Sequence, residues 1–293
     1  MGSLKSVCIR EKMSQIFNRA RARKTTSIVK PRFADTIADR AINAGWLLSE
    51  MDIAGGDRAY QYVNGRAVTV GLEAMQFNAP VYIGDSVTIY TEVIRQGRSS
   101  VAIKVEAFAE SRQGGNRRKV TEGTFTFVHI DEHGRARAIE GKAPFGETKA
   151  KAAKPKASAT DTLDHEPELE PGQELSLRTV PHPRDKNANG DIFGGWILDK
   201  MDEAGGLRAM RFARKTTVPR AIDAMTFHKP VSERNEVSFY TQIERVGDTS
   251  VTIRVEAWAL REDLTKYEKV TEGTFVYVAI DKELKPVSVK PAP

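Results

Sequence analysis

Cysteine is nearly absent. Cys8 is alone among 293 residues, so no internal disulfide can form and no thiol cluster can hold zinc. No run approaches the roughly 18 apolar residues that span a bilayer. No His/Cys group has metal-ligand spacing, and no Ser/His/Asp nucleophile elbow is present. The lone thiol fits a reducing compartment, and a cytoplasmic location is the expectation. Acidic residues are scarce in one place only. Residues 1–30 carry eight cations against Glu11, 8 − 1 = +7, while the whole chain has a net charge of +6. The rest therefore carries 6 − 7 = −1. A near-neutral body offers no footprint for nucleic acid.

What the chain does have is itself, twice. Trp46-Leu47-Leu48 reads against Trp196-Ile197-Leu198, and Met51-Asp52-Ile53-Ala54-Gly55-Gly56 against Met201-Asp202-Glu203-Ala204-Gly205-Gly206. Val120-Thr121-Glu122-Gly123-Thr124-Phe125 returns as Val270-Thr271-Glu272-Gly273-Thr274-Phe275, and every pair is offset by 196 − 46 = 150. A constant offset over three motifs means a duplicated unit. The division expected is a basic tail over 1–30, a first domain over 31–145, a linker over 146–174 and a second domain over 175–293. The linker is basic at Lys149–Lys156 and acidic and proline-rich at Glu166–Gly172. Its few apolar residues predict an extended or disordered stretch.

Each unit opens with a helical pattern. Over 44–61, Leu47, Leu48, Met51, Ala54 and Gly55 fall on one stripe. Alternating runs follow at Arg66–Phe77, Asp85–Arg95, Ser99–Ala109 and Val120–Ile130, with turns at Gly97–Ser100 and Gly114–Asn116. One helix and several antiparallel strands make an α+β unit, a curved sheet against a single helix. The Gly55-Gly56 and Gly205-Gly206 pairs weaken a helix, so close helix–sheet approach is their expected use.

Asp52 stands on or beside the apolar stripe, and Asp202 stands at the same place in the second unit. A carboxylate on a face turned towards a sheet is either at the stripe's edge or in a pocket, where desolvation raises its basicity. The second unit alone carries Asn187-Ala188-Asn189-Gly190-Asp191-Ile192-Phe193-Gly194-Gly195-Trp196 ahead of its helix. Small residues at a helix start leave backbone N–H donors open to an oxyanion, though the same residues also make an ordinary N-cap and tight loop.

Taken with Met201-Asp202, Glu73–Phe77, Asp223–Phe227 and Gly97–Ser100, this string resembles the acyl-CoA thioesterases of the hotdog superfamily. Two tandem hotdog domains, each an antiparallel curved sheet wrapped around one long helix and paired as a pseudo-dimer, are what the resemblance implies. It implies hydrolysis of fatty acyl-CoA to a fatty acid and CoA across the domain interface, with coenzyme A as part of the substrate and no separate cofactor or metal. Carried over residue by residue, the catalytic group is Asp52, Asp191, Gly194 and Gly195. Arg98, Ser99 and Ser100 are the expected CoA contacts, or else simply a hairpin turn. The first unit departs from the pattern, with Arg40 and Ala41 where the second has Gly190 and Asp191, and Ala44 for Gly194. A degenerate second site at Asp202, Arg40 and Ala41 is therefore expected. The turn over Gly247–Ser250 holds Asp248 where the first holds Arg98, which disfavours phosphate there. His228 could border the pocket, or be structural.

A non-catalytic acyl-CoA binder remains the rival class. An enoyl hydratase would need an Asp/His pair, and none is recognisable. By family analogy the chain forms a homotrimer of double hotdogs. Met1-Gly2-Ser3-Leu4-Lys5-Ser6-Val7-Cys8 fits an N-myristoylation pattern, and the Arg-rich start also resembles a mitochondrial presequence. Membrane association is expected only through such a lipidated start.

Overall fold

Period-2 alternation sets the strands, and a 3.6-residue stripe sets the helices, in the same order in both halves. The computed structural model describes residues 23–38, 41–140, 162–187, 190 and 192–290. In the first half β1 (Lys24–Val29) and α1 (Ala44–Val63) precede β2 (Ala67–Leu72), β3 (Met75–Phe77), β4 (Asp85–Gln96), β5 (Ser100–Ser111) and β6 (Arg118–His129). In the second, β7 (Gln173–Thr179) and α2 (Gly194–Ala213) precede β8 (Thr217–Ile222), β9 (Met225–Phe227), β10 (Glu236–Val246), β11 (Ser250–Leu260) and β12 (Tyr267–Ala279).

Leu47, Leu48, Met51, Ala54 and Gly55 are buried on α1, as the stripe requires. The Asn43 side chain accepts the Gly45 N–H at 3.0 Å and caps the helix, which ends on Asn64 in the left-handed conformation. One glycine of each pair closes the gap to the sheet. A Cβ on Gly55 would stand 2.9 Å from the Phe127 ring, and one on Gly205 2.5 Å from the Tyr277 hydroxyl. Gly56 and Gly206 would meet only ordinary contacts, at 3.7 and 3.8 Å.

The sheet runs β1-β4-β5-β6-β2-β9-β12-β11-β10-β7, all antiparallel, with β3 and β8 also bridging the halves. Leu72 faces Met225 and Ile222 faces Met75. These are one contact related by the offset, since 72 + 150 = 222 and 225 − 150 = 75. A pseudo-twofold axis therefore passes through one continuous sheet with α1 and α2 packed together against it. This is the α+β tandem hotdog arrangement.

Two boundaries differ from expectation. Lys24–Val29, assigned to the tail, is an edge strand on β4. Its polar alternation is weak because its one ladder neighbour leaves much of it facing solvent. Residues 162–174, assigned to the linker, are ordered. Thr162-Leu163 pairs with β12, Glu166 binds Arg178 and accepts the Tyr240 hydroxyl at 2.8 Å, and Glu170 binds Arg254. The acidic composition is matched to cations on the sheet rather than to water. Residues 1–22, with Gly2 and Cys8 and the lipidation and presequence expectations resting on them, lie outside the described residues. Among the described residues no helix is long and apolar enough to cross a membrane.

Candidate active site

Each helix begins against the middle of the other, and glycine makes that possible. A Cβ on Gly195 would lie 2.7 Å from Ser49 Cα and 3.0 Å from Asp52 Cβ. On Gly45 it would lie 2.8 Å from Asp199 Cα. The helix starts therefore reach the two aspartates of the opposite half. The Gly195 N–H donates to Asp52 Oδ2 at 2.8 Å, and the Gly45 N–H donates to Asp202 Oδ2 at 2.9 Å. Asp52 is 2% exposed and Asp202 4%. Neither stands at the stripe's edge.

The other carboxylate oxygen takes a hydroxyl in both cases, but from different places. Thr69 Oγ1 donates to Asp52 Oδ1 at 2.7 Å. The Tyr277 hydroxyl donates to Asp202 Oδ1 at 3.1 Å. Thr69 corresponds to Pro219, and Tyr277 corresponds to Phe127. Each half thus lacks the hydroxyl that the other uses. Neither Thr69 nor Tyr277 was found from the sequence. The available signals were the differences between the halves at these positions, Thr69/Pro219 and Phe127/Tyr277, which stand among several others.

Burial pushes the Asp52 carboxyl up from 3.8 to about 6, against the pull of the Thr69 and Gly195 hydrogen bonds. Burial likewise pushes Asp202 up to about 7, against Gly45 and Tyr277 and with the help of nearby Asp199 and Glu203. Both groups reach the range where a carboxylate is a useful base at neutral pH. The same shifts cost stability. Between the unfolded value and the folded one, the native state holds a proton that the unfolded chain has released, so stability falls as pH rises through that window. Moving Asp202 from 3.8 to about 7 corresponds to roughly 4 kcal/mol. Asp202→Asn should therefore melt like the parent near pH 4 and progressively higher than it up to pH 8. A melting-temperature difference that does not change with pH would contradict this.

The expected site residues are distributed as follows. Asp52, Gly194 and Gly195 come together, with Gly194 packed on Thr69, 3.0 Å from its Cβ for an added methyl. The Gly195 amide, expected to serve an oxyanion, is occupied by the Asp52 carboxylate instead. Among the described residues the Gly194 N–H has no acceptor. Asp191 and Arg40 lie outside the described residues, and Ala41 is described only as backbone in the short strand Ala41–Ile42. Arg98 is exposed at the β4–β5 turn, where the Ser99 carbonyl accepts His129 N–H and the Gly97 N–H donates to the Ser100 carbonyl. The corresponding turn holds Asp248, which has Lys290 at 3.9 Å. Among the described residues the buried His228 Nδ1 has no hydrogen-bond partner.

A cavity of about 390 Å³ opens on the side of Asp202. It ends against Asn43 and Ala44, next to the Gly45 amide that binds that carboxylate, and Thr249 of the second turn lines it. By the pseudo-twofold, Ser99 takes the place of Thr249 on the Asp52 side. The expectation of a degenerate second site thus rests on loop composition. Both aspartates are buried, accept one backbone N–H and one hydroxyl, and have their carboxyls pushed up, although the hydroxyl comes from Thr69 in one case and Tyr277 in the other.

The family model described as "Thioesterase superfamily" matches residues 40–115 and again 189–266. The chain is similar to an uncharacterized acyl-CoA thioester hydrolase of Buchnera aphidicola, with 44% identity over 41% of this chain and 92% of that protein. It is similar to the acyl-CoA thioester hydrolase YciA of Salmonella typhimurium, with 39% identity over 43% of this chain and 93% of that one. An acyl-ACP thioesterase structure from Bacteroides thetaiotaomicron shares the fold across 89% of this chain and 98% of its own, with a TM-score of 0.56 and 11% identity.

Proposed function

The chain belongs to the thioesterase superfamily in both of its halves, and from that premise we propose that it hydrolyses fatty acyl-CoA to a fatty acid and coenzyme A. The observation that carries this reading is Asp52, a buried carboxylate with its acidity weakened to about 6, held at the start of the opposite helix. Asp52 takes a proton from water as the water oxygen attacks the thioester carbonyl. The tetrahedral oxyanion then collapses, the C–S bond breaks, and the CoA thiolate leaves and takes up the proton held by Asp52, which returns the carboxylate to its ionised form. Gly195 orients the base. The Gly194 amide, at the positive end of α2, is the donor assigned to the oxyanion. Asp191 supports the water from the loop. Arg98, Ser99 and Ser100 receive the CoA portion, which is substrate, and the reaction as written needs no separate cofactor or metal.

In this reading the centre around Asp202, with Arg40 and Ala41 in its loop, is the slower of two. The chains associate as a homotrimer in the cytoplasm. The direct test is release of CoA from a panel of acyl-CoAs, followed with a thiol reagent. Saturable release identifies a hydrolase and ranks chain lengths, whereas binding without release would favour an acyl-CoA sensor. The acid limb of kcat/KM should rise with pH through about 6, because the base works only when ionised. A profile flat from pH 5 to 8 would remove Asp52 from that role.

A further inference from the structure

We propose that the cavity beside Asp202 is a binding site for a fatty carboxylate, with the chain in the cavity and the head group on Arg220. The lining is mainly apolar, including Ile42, Leu47, Phe77, Val218 and Ile280, and the volume of about 390 Å³ is that of a small-ligand pocket. Arg220 lines the same space and is exposed. It is also the extra residue of a β-bulge. Pro219 faces Tyr277 and Ala221 faces Val276, which leaves Arg220 unpaired in the ladder. Bulges re-aim side chains, and this one turns a guanidinium to an apolar cavity.

That cation has no carboxylate partner among the described residues. Nη1 donates to the Phe77 carbonyl across the junction of the halves, which leaves most of its five donors for a ligand. The first half has the same bulge, between Thr69 and Gly71, but there the extra residue is Val70. The charge was therefore placed on one side only. An apolar chain ending in a carboxylate complements both the lining and the fork of donors. A thioester carbonyl, being neutral, would gain much less from it. Asp202, with its carboxyl pushed up to about 7 by burial, is only about half ionised at neutral pH, so it opposes such a ligand less than an ordinary aspartate would. The choice of a fatty carboxylate rests on the hydrolase reading, of which it is the product.

Titration calorimetry on the full chain, below micellar concentrations, tests this with decanoate, decanol and free CoA. The comparison is between the parent and Arg220→Gln, which keeps a donor for the Phe77 carbonyl and removes the charge. Decanoate should bind the variant about tenfold more weakly, while decanol binds both alike. Should the Gln variant melt early, Arg220→Lys keeps the charge and should retain decanoate. The proposal is overturned by equal decanoate affinity in parent and variant, or by no decanoate binding to the parent. A loss confined to CoA, which would make Arg220 a phosphate contact, overturns it too. Failure of the hydrolase reading would appear separately, as no CoA release from the acyl-CoA panel.

Discussion

Replacing Asp52 with Asn should lower kcat/KM for an acyl-CoA by about 10²–10⁴-fold, the range spanned by loss of a general base. Asp202→Asn should cost less than about tenfold. Asn is nearly isosteric, its carbonyl can still accept the Gly195 N–H, and its amide can meet Thr69. The loss should therefore be in the chemical step and not in folding, with thermal melting as the control. The predicted inequality is demanding because the two aspartates are held so similarly. It comes from the loop sequences, which read Asp191 and Gly194 in the second half and Ala41 and Ala44 in the first. Equal losses from both variants, measured with one substrate, would show two working centres.

Gly195→Ala should damage both stability and catalysis. Its Cβ would lie 2.7 Å from Ser49 Cα, which is backbone and cannot rotate away, and 3.0 Å from Asp52 Cβ. The start of α2 must move off α1. Overpacking of this kind costs about 1–3 kcal/mol. The same movement pulls the amide from Asp52, and a displacement of about 1 Å at a catalytic group can cost about 100-fold in rate. Urea unfolding and kcat/KM should both change. A variant with the parent's midpoint and rate would mean that the helices do not meet as closely as described. Gly56→Ala, whose Cβ would meet only Phe127 at 3.7 Å, is the matched control and should keep the parent's rate and be as stable or more stable by up to about 1 kcal/mol.

The sequence carried the architecture because duplication prints its own symmetry. The offset that relates Trp46 to Trp196 also relates Leu72–Met225 to Ile222–Met75 in the sheet. From its place beside Leu48 and Met51, Asp52 could stand at the stripe's edge or in a pocket, and the fold selects the pocket. Its partners were not legible, since Thr69 lies 69 − 52 = 17 residues away and reaches the carboxylate only once β2 is docked. Tyr277, 277 − 202 = 75 residues from Asp202, is further still. The acidic linker misled for a related reason. Its few apolar residues predict no packing, whereas Glu166 and Glu170 are held by ion pairs to Arg178 and Arg254 that form only once the sheet is in place.

The shared sheet has one more consequence. In a dimer of identical chains, a change at one catalytic centre appears at both, and a loss cannot be covered by an intact copy. Here Thr69 of one half stands against Pro219 of the other, and Phe127 against Tyr277, and each difference touches a single aspartate. Covalent joining of the halves turns obligatory twins into two independently editable positions, so that one can be kept for chemistry while its sibling drifts towards another use.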